Sequence, residues 1–256
     1  GSWLAAFATE GERECRGVTQ VEAGGYYSMT VFSHTASRVK ILFRLWSQSG
    51  DPAYEAVEIL DFREDKAYVD QPLHFSSPGS QYINLVSGWN WISFNTLPQN
   101  ISLEAVFAAV SRSIEQVKTQ TQSAIRVNGS WLSDLSDMSG ISDGLMYRIK
   151  TSAASILEVE GSAVVYDTRI PLVAGWNWTA YPPQASEQTE TAVSSIMTQA
   201  TQVKSQNQSV VKIGQDLVGD LVQISPGKGY TIRMDEPGTL IYPEGWTLAA
   251  QGVENK

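Results

Sequence analysis

Two stretches of the sequence read Gly-Trp-Asn-Trp, one at Gly88-Trp89-Asn90-Trp91 and one at Gly175-Trp176-Asn177-Trp178. On an extended strand Trp89 and Trp91 fall on one face and Asn90 on the other, and Trp176 and Trp178 repeat that arrangement around Asn177. Two indoles on one face suit the C–H-rich face of a pyranose, and the indole N–H can hydrogen-bond a sugar hydroxyl. Large aromatics in register with turn glycines also build protein interiors, which is their commoner use. A further candidate is Trp131, because the turn residues Asn128-Gly129-Ser130 precede it and favour exposure. The candidate ligand-binding residues are therefore Trp131, Trp89, Trp91, Trp176 and Trp178, and the chemistry they offer is stacking on a glycan.

Other constellations are weaker. Pro226-Gly227-Lys228-Gly229 lacks the length and the Lys-Ser or Lys-Thr ending of a phosphate loop, and a strand-like Tyr230-Thr231-Ile232 follows it, so it reads as a turn. Asp134, Asp137 and Asp143 offer oxygens to Ca²⁺ but lack the alternating pattern and terminal Glu of a calcium loop; a solvated acidic loop is the simpler reading. His34 and His74 have no neighbouring ligand at metal-binding spacing. No Gly-x-Ser-x-Gly elbow nominates a nucleophile, and nothing selects a carboxylate pair for glycoside hydrolysis. Cys15 is the single cysteine, which rules out an intrachain disulfide, and it reads as a buried strand residue. No catalytic residue, metal site or cofactor is expected, and the chain reads as a non-enzyme.

Charge narrows the partners. A formal charge of −9 and a pI near 4.8 disfavour a nucleic-acid backbone or an anionic membrane, since neither supplies counter-charge to an acidic surface. No run approaches the roughly 18 apolar residues of a membrane span, so membrane insertion is not expected, and no secretion signal opens the sequence. Eight Trp and ten Tyr beside only 18% charged residues suit a β-rich extracellular surface.

The elements that must hold the tryptophans follow from a duplication. Ile83-Asn84-Leu85-Val86-Ser87 lies over Ile170-Pro171-Leu172-Val173-Ala174 at the same spacing as the Trp motifs, and Gln116-Val117-Lys118-Thr119-Gln120 lies over Gln202-Val203-Lys204-Ser205-Gln206. In the first copy a strand is expected over 83–94, a helix capped by Ser102 over 102–110, one or two strands over 116–127, and a tight turn at Asn128-Gly129. The second copy repeats the plan, with its helix over 190–200 weakened by β-branched residues and a closing strand at Trp246-Thr247-Leu248-Ala249 matching Ala163-Val164-Val165-Tyr166. Upstream, runs at 3–7, 26–32 and 39–46 read as strands of a small sandwich, with Ser76-Ser77-Pro78-Gly79-Ser80 as linker. The fold class is thus mainly β with short helices, an antiparallel β-sandwich followed by two homologous β-rich α+β repeats. The domains are 1–79, 80–166 and 167–256.

Ala5-Ala6-Phe7, Gly11-Glu12-Arg13-Glu14-Cys15-Arg16-Gly17-Val18 and the runs after them resemble an immunoglobulin-like module of bacterial secreted and surface proteins, departing from it in the turn between Ala8 and Arg13. The later units are similar to GWN-type repeats of large microbial surface proteins. Their "PGKGY" signature stands at Pro226-Gly227-Lys228-Gly229-Tyr230, whereas the first copy shares only Gly144 and Tyr147. The resemblance implies an extracellular habitat and neighbouring domains of a larger chain. Three functions are weighed: a carbohydrate-binding module for a polysaccharide or cell-surface glycan, a structural or adhesive spacer, and, ranked last, a glycan-active enzyme.

Overall fold

Val, Ile, Tyr, Trp and Thr recur along the strands, as a pleated, half-buried surface favours, and the fold is mainly β with two short α-helices among the described residues. Every ladder is antiparallel among the described residues. The protein is represented by a computed structural model that describes residues 2–8, 15–22, 25–32, 39–47, 54–63, 67, 72–75, 79–133, 140–164 and 168–243. Chain contacts divide it into two compact units, of which Ser77–Gly245 is the second.

In the first unit β1 (Ser2–Ala8), β2 (Cys15–Gln20), β3 (Lys40–Ser47) and β4 (Tyr54–Asp61) form one sheet in the order β2-β1-β3-β4. Leu4, Ala6, Ile41, Phe43 and Ala56 fill one face, with Tyr27, Met29, Val31 and Phe75 packed onto them. The run expected as a strand over 26–32 is instead an extended cover outside the ladders. Phe32 N–H donates to Arg16 O at 2.9 Å, and a Cβ on Gly17 would stand 2.4 Å from Thr30 O, so the cover crosses the sheet where the side chain is missing. Cys15 corrects the expectation of burial: it opens an edge strand and is exposed. His74 is held by Glu58, whose carboxylate meets both its backbone N–H (2.8 Å) and its Nδ1 (2.5 Å). His34 and residues 11–14 of the resemblance motif lie outside the described residues.

The second unit begins with β5 (Ser80–Leu85), β6 (Gly88–Ser93), β7 (Thr96–Leu97), α1 (Leu103–Val106), β8 (Ile114–Lys118), β9 (Ser123–Val127), β10 (Ser130–Ser133), β11 (Met146–Thr151), β12 (Ser155–Glu160) and β13 (Ser162–Ala163). It continues with β14 (Ile170–Leu172), β15 (Gly175–Thr179), β16 (Glu187–Gln188), α2 (Thr189–Ala192), β17 (Ala200–Lys204), β18 (Ser209–Ile213), β19 (Asp216–Gly219), β20 (Gln223–Ile224), β21 (Tyr230–Met234) and β22 (Gly238–Leu240). The sheet order β6-β11-β8-β9-β10 recurs as β15-β21-β17-β18-β19, and β12 closes on β5 as β22 closes on β14. Each copy has its own core, one built around Phe94, Phe107, Val117 and Ile149, the other around Tyr181, Val193, Val203 and Ile232.

Local chemistry sets the boundaries. The strand expected over 83–94 is broken between β5 and β6 because Gly88 takes φ +97° in a tight turn. Asn128 and Gly129 both take positive φ (50° and 85°), the type I′ geometry that matches strand twist, and they join β9 to β10. Ser102 Oγ accepts from Ala105 N–H at 3.3 Å and caps α1, but the chain tightens to a 3₁₀ turn at Ala108–Val110. The second helix also falls short of the expected 190–200: Gln188 supplies no side-chain cap, and Ala200 already opens β17. The closing ladders form earlier than expected, at β12 and β22; residues 165–166 and 246–249 lie outside the described residues.

The caps differ, so their loss should too. Ser102→Ala is expected to lower unfolding free energy by about 1 kcal/mol in urea titration, whereas Gln188→Ala should change it little; equal effects would show that the Ser102 bond does not hold α1.

Candidate functional site

The Gly-Trp-Asn-Trp motif is a turn device before it is anything else. Asn90 Oδ1 accepts from Val86 N–H at 2.8 Å, and its Nδ2 donates to Val86 O at 2.8 Å and Gly88 O at 3.1 Å. Asn177 makes the same three bonds to Val173 N–H (2.9 Å), Val173 O (2.7 Å) and Gly175 O (3.1 Å), with Gly175 at φ +91°. The buried amide staples the turn from inside. Strand alternation then sends both indoles of each motif to the outer face.

Cross-strand partners share a face, so register shows what surrounds each indole. One row of the first copy reads Trp89, Lys150, Gln116, Ile125, Leu132. Its counterpart reads Trp176, Arg233, Gln202, Val211, Val218. A second row reads Trp91, Arg148, Lys118, Ser123 in the first copy and Trp178, Thr231, Lys204, Ser209 in the second. The two outer faces therefore carry nearly the same chemistry, differing mainly where Arg148 is matched by Thr231.

The copies meet along their motif strands in a reciprocal contact. Gln206 of the second copy donates to Trp89 O at 2.7 Å and accepts from Trp91 N–H at 2.8 Å. Gln120 of the first copy donates to Trp176 O at 2.8 Å and accepts from Trp178 N–H at 2.8 Å. Farther along, Ser93 N–H reaches Gly227 O at 3.4 Å and Ala180 N–H reaches Gly144 O at 3.2 Å. This is a quasi-two-fold interface. At its centre Arg148 lies between the copies, its guanidinium carbon 4.0 Å from the Trp91 ring centroid and 3.9 Å from that of Trp178. Burial lowers the Arg148 pKa from its usual value, and its Nε is buried without a hydrogen-bond partner.

The indoles are thus neither core nor bare. Trp89 and Trp176 are 37% and 39% exposed, with Lys118 Nζ 5.4 Å from the Trp89 ring centroid and Lys204 Nζ 4.9 Å from that of Trp176. Trp91 and Trp178 are half-buried against Arg148. The expectation of core packing fails for all four because Asn90 and Asn177 occupy the inward positions. Trp131 departs from its expected exposure: it is half-buried against the first core, 6.1 Å from Phe107 and capped by Arg126 at 5.5 Å. It stands apart from the four motif tryptophans in sheet order, on β10 at the far edge.

A groove of about 580 Å³ runs between the copies, lined by Trp89, Trp91, Lys118, Gln120, Arg148 and Trp178. Its polar members, Lys118, Gln120 and Arg148, together with Gln206 and Lys204, are what the sequence reading missed. The doubled Gln116-Val117-Lys118-Thr119-Gln120 and Gln202-Val203-Lys204-Ser205-Gln206 was the visible signal for the lysines and glutamines. Pro226-Gly227-Lys228-Gly229 is a turn, as read, and its backbone pairs with β6: Gly229 N–H donates to Trp91 O at 3.1 Å. Asp134 and Asp137 lie outside the described residues, and no group of three metal-ligating side chains occurs among the described ones. No family model, no curated protein and no solved structure matches the chain.

The two bonds of each glutamine sit at solvent-exposed edges, where water replaces a lost partner, so each pair together is worth about 1 kcal/mol. Gln120→Ala and Gln206→Ala should each lower unfolding free energy by about that amount and add in the double variant. A double variant as stable as the parent in urea would refute their role in docking the copies.

Proposed function

We propose that the chain is a non-catalytic, extracellular carbohydrate-binding segment of a larger bacterial secreted or surface protein, and that the glycan lies along the tryptophan face of the paired repeats. The observation that carries this reading is the equivalent exposure of Trp89 and Trp176. Leaving a large apolar ring in water twice, at the same place in two copies with separate cores, is hard to explain by folding alone. An indole beside Gln, Ser and Lys offers a stacking plane with donors and acceptors around it, which is what a pyranose needs. Trp131 contributes less, being engaged by Phe107 and Arg126. The extracellular, bacterial setting rests on the motif resemblances and the composition.

A second reading, a structural or adhesive spacer, draws on the interface itself. Trp91, Trp178 and the two glutamines bind the copies together, and duplicated modules lengthen an array without any small ligand.

The double variant Trp89→Ala/Trp176→Ala separates the two. Under the glycan reading the parent is retarded in affinity gels containing a polysaccharide it recognises, and the variant loses that retardation by at least about tenfold while melting within a few degrees of the parent. A parent that is silent across a broad panel of soluble and insoluble polysaccharides would leave the spacer as the function.

A further inference from the structure

The outward rows hold one kind of charge. Lys118, Arg148 and Lys150 stand on them in the first copy and Lys204 and Arg233 in the second, while no Asp or Glu occupies any position in the four rows. That is unexpected on a chain with 27 acidic and 18 basic residues. Some cations elsewhere meet carboxylates, Lys40 with Asp61 at 3.6 Å and Arg126 with Glu104 at 3.4 Å, while Lys212 bonds the backbone carbonyls of Met197 and Thr198. Of the five on the rows only Lys150 does so, with Glu115 at 2.9 Å. Lys118, Arg148, Lys204 and Arg233 have no carboxylate partner among the described residues. Cations gathered on these rows, four of the five without a carboxylate partner among the described residues, are available for an anion brought from outside.

Their mounting strengthens the case. Lys118 and Lys204 lie over Trp89 and Trp176, and Arg148 is clamped between Trp91 and Trp178. An indole face partly replaces water around a cation without neutralising it, and it restricts the side chain, so binding an anion costs less ordering and less dehydration. Neighbouring strands are about 4.8 Å apart, so Trp89, Trp176 and Trp91 each stand one strand from a cation, Lys150, Arg233 and Arg148 in turn, at roughly the spacing of a sugar ring and its substituent.

We infer that the ligand of this face is an acidic polysaccharide, one bearing carboxylate or sulfate groups, whose rings stack on Trp89 and Trp176 while its anions meet Lys118, Arg148 and Lys204. This rests on the glycan reading above and adds the charge of the ligand to it. The planar guanidinium of Arg148 suits a two-oxygen anion, and the two lysines act as point charges on either side of the quasi-two-fold.

The test uses the whole chain in titration calorimetry against polygalacturonate, dextran sulfate, and the neutral polymers dextran and hydroxyethylcellulose. Binding to one or both acidic polymers is expected, at least about tenfold tighter than to either neutral one. Which acidic polymer binds distinguishes carboxylate from sulfate. Lys118→Gln/Lys204→Gln should weaken that binding by at least about tenfold and flatten its salt dependence, while Lys118→Arg/Lys204→Arg retains it; melting curves of both variants should overlay the parent. Neutral polymers bound as tightly as acidic ones, or a Gln variant with undiminished affinity, would overturn the acidic ligand and leave glycan binding standing. If no polysaccharide binds, both readings fall. Tight binding of an oligo-thymidylate through the same lysines, with polysaccharides silent, would assign the face to single-stranded nucleic acid instead.

Discussion

A β-strand at the edge of a sheet presents unpaired N–H and C=O groups, and the arrangement of the second unit follows from where two such edges are covered. β6 and β15 are the edge strands of their sheets. Each carries an alternating row of outward indoles, and each is sealed by a glutamine from the other copy, whose side-chain amide imitates the missing neighbour strand by giving one donor and one acceptor. Because the bonds are reciprocal, neither copy can cover its own edge and both edges are covered at once. The position of one copy on the other, the groove between them and the clamp on Arg148 are all consequences of that exchange.

Symmetry of this kind cannot persist on its own axis, where a side chain would meet its double. There the copies differ. The position equivalent to Arg148 in the second copy is Thr231 rather than a second arginine, so one guanidinium is shared by Trp91 and Trp178, and two like charges are not forced into one slot. Gly229 corresponds to Met146, and a Cβ on Gly229 would stand 2.4 Å from Met146 Cγ and 2.9 Å from Ile92 O. Only one of the two positions can hold a side chain. The later glycine of the Pro226-Gly227-Lys228-Gly229 turn is thus explained by close approach, without phosphate chemistry.

The parts of this fold legible in the sequence are those set within a few residues. Asn128-Gly129 announces its turn because both residues tolerate positive φ, Ser102 announces its cap, and strand alternation puts Trp89 with Trp91 and against Asn90. The duplication was visible because whole segments recur. What the sequence hid lies at long range. Gln120 and Gln206 are ordinary polar loop residues until the other copy's edge strand arrives beside them. Trp131 follows a turn and looks exposed, yet Arg126, its partner across the hairpin, and Phe107, from an element distant in sequence, close over it. The helices were read too long because apolar spacing continues past Val106 and Ala192, whereas the chain tightens into 3₁₀ turns and then re-enters the sheet.

The four motif tryptophans divide into two pairs with different surroundings. Trp91 and Trp178 have a structural explanation: they hold Arg148 at the junction of the copies. Trp89 and Trp176 stand two residues away on the same strands, over lysines, and neither joins the copies through its side chain in any contact the structure shows among the described residues. Docking accounts for the backbone of residues 89 and 176, through their carbonyls, but it places no demand on the ring. Two partly exposed rings, each beside a cation that has no carboxylate partner among the described residues, are the features that the docking of the copies leaves unexplained.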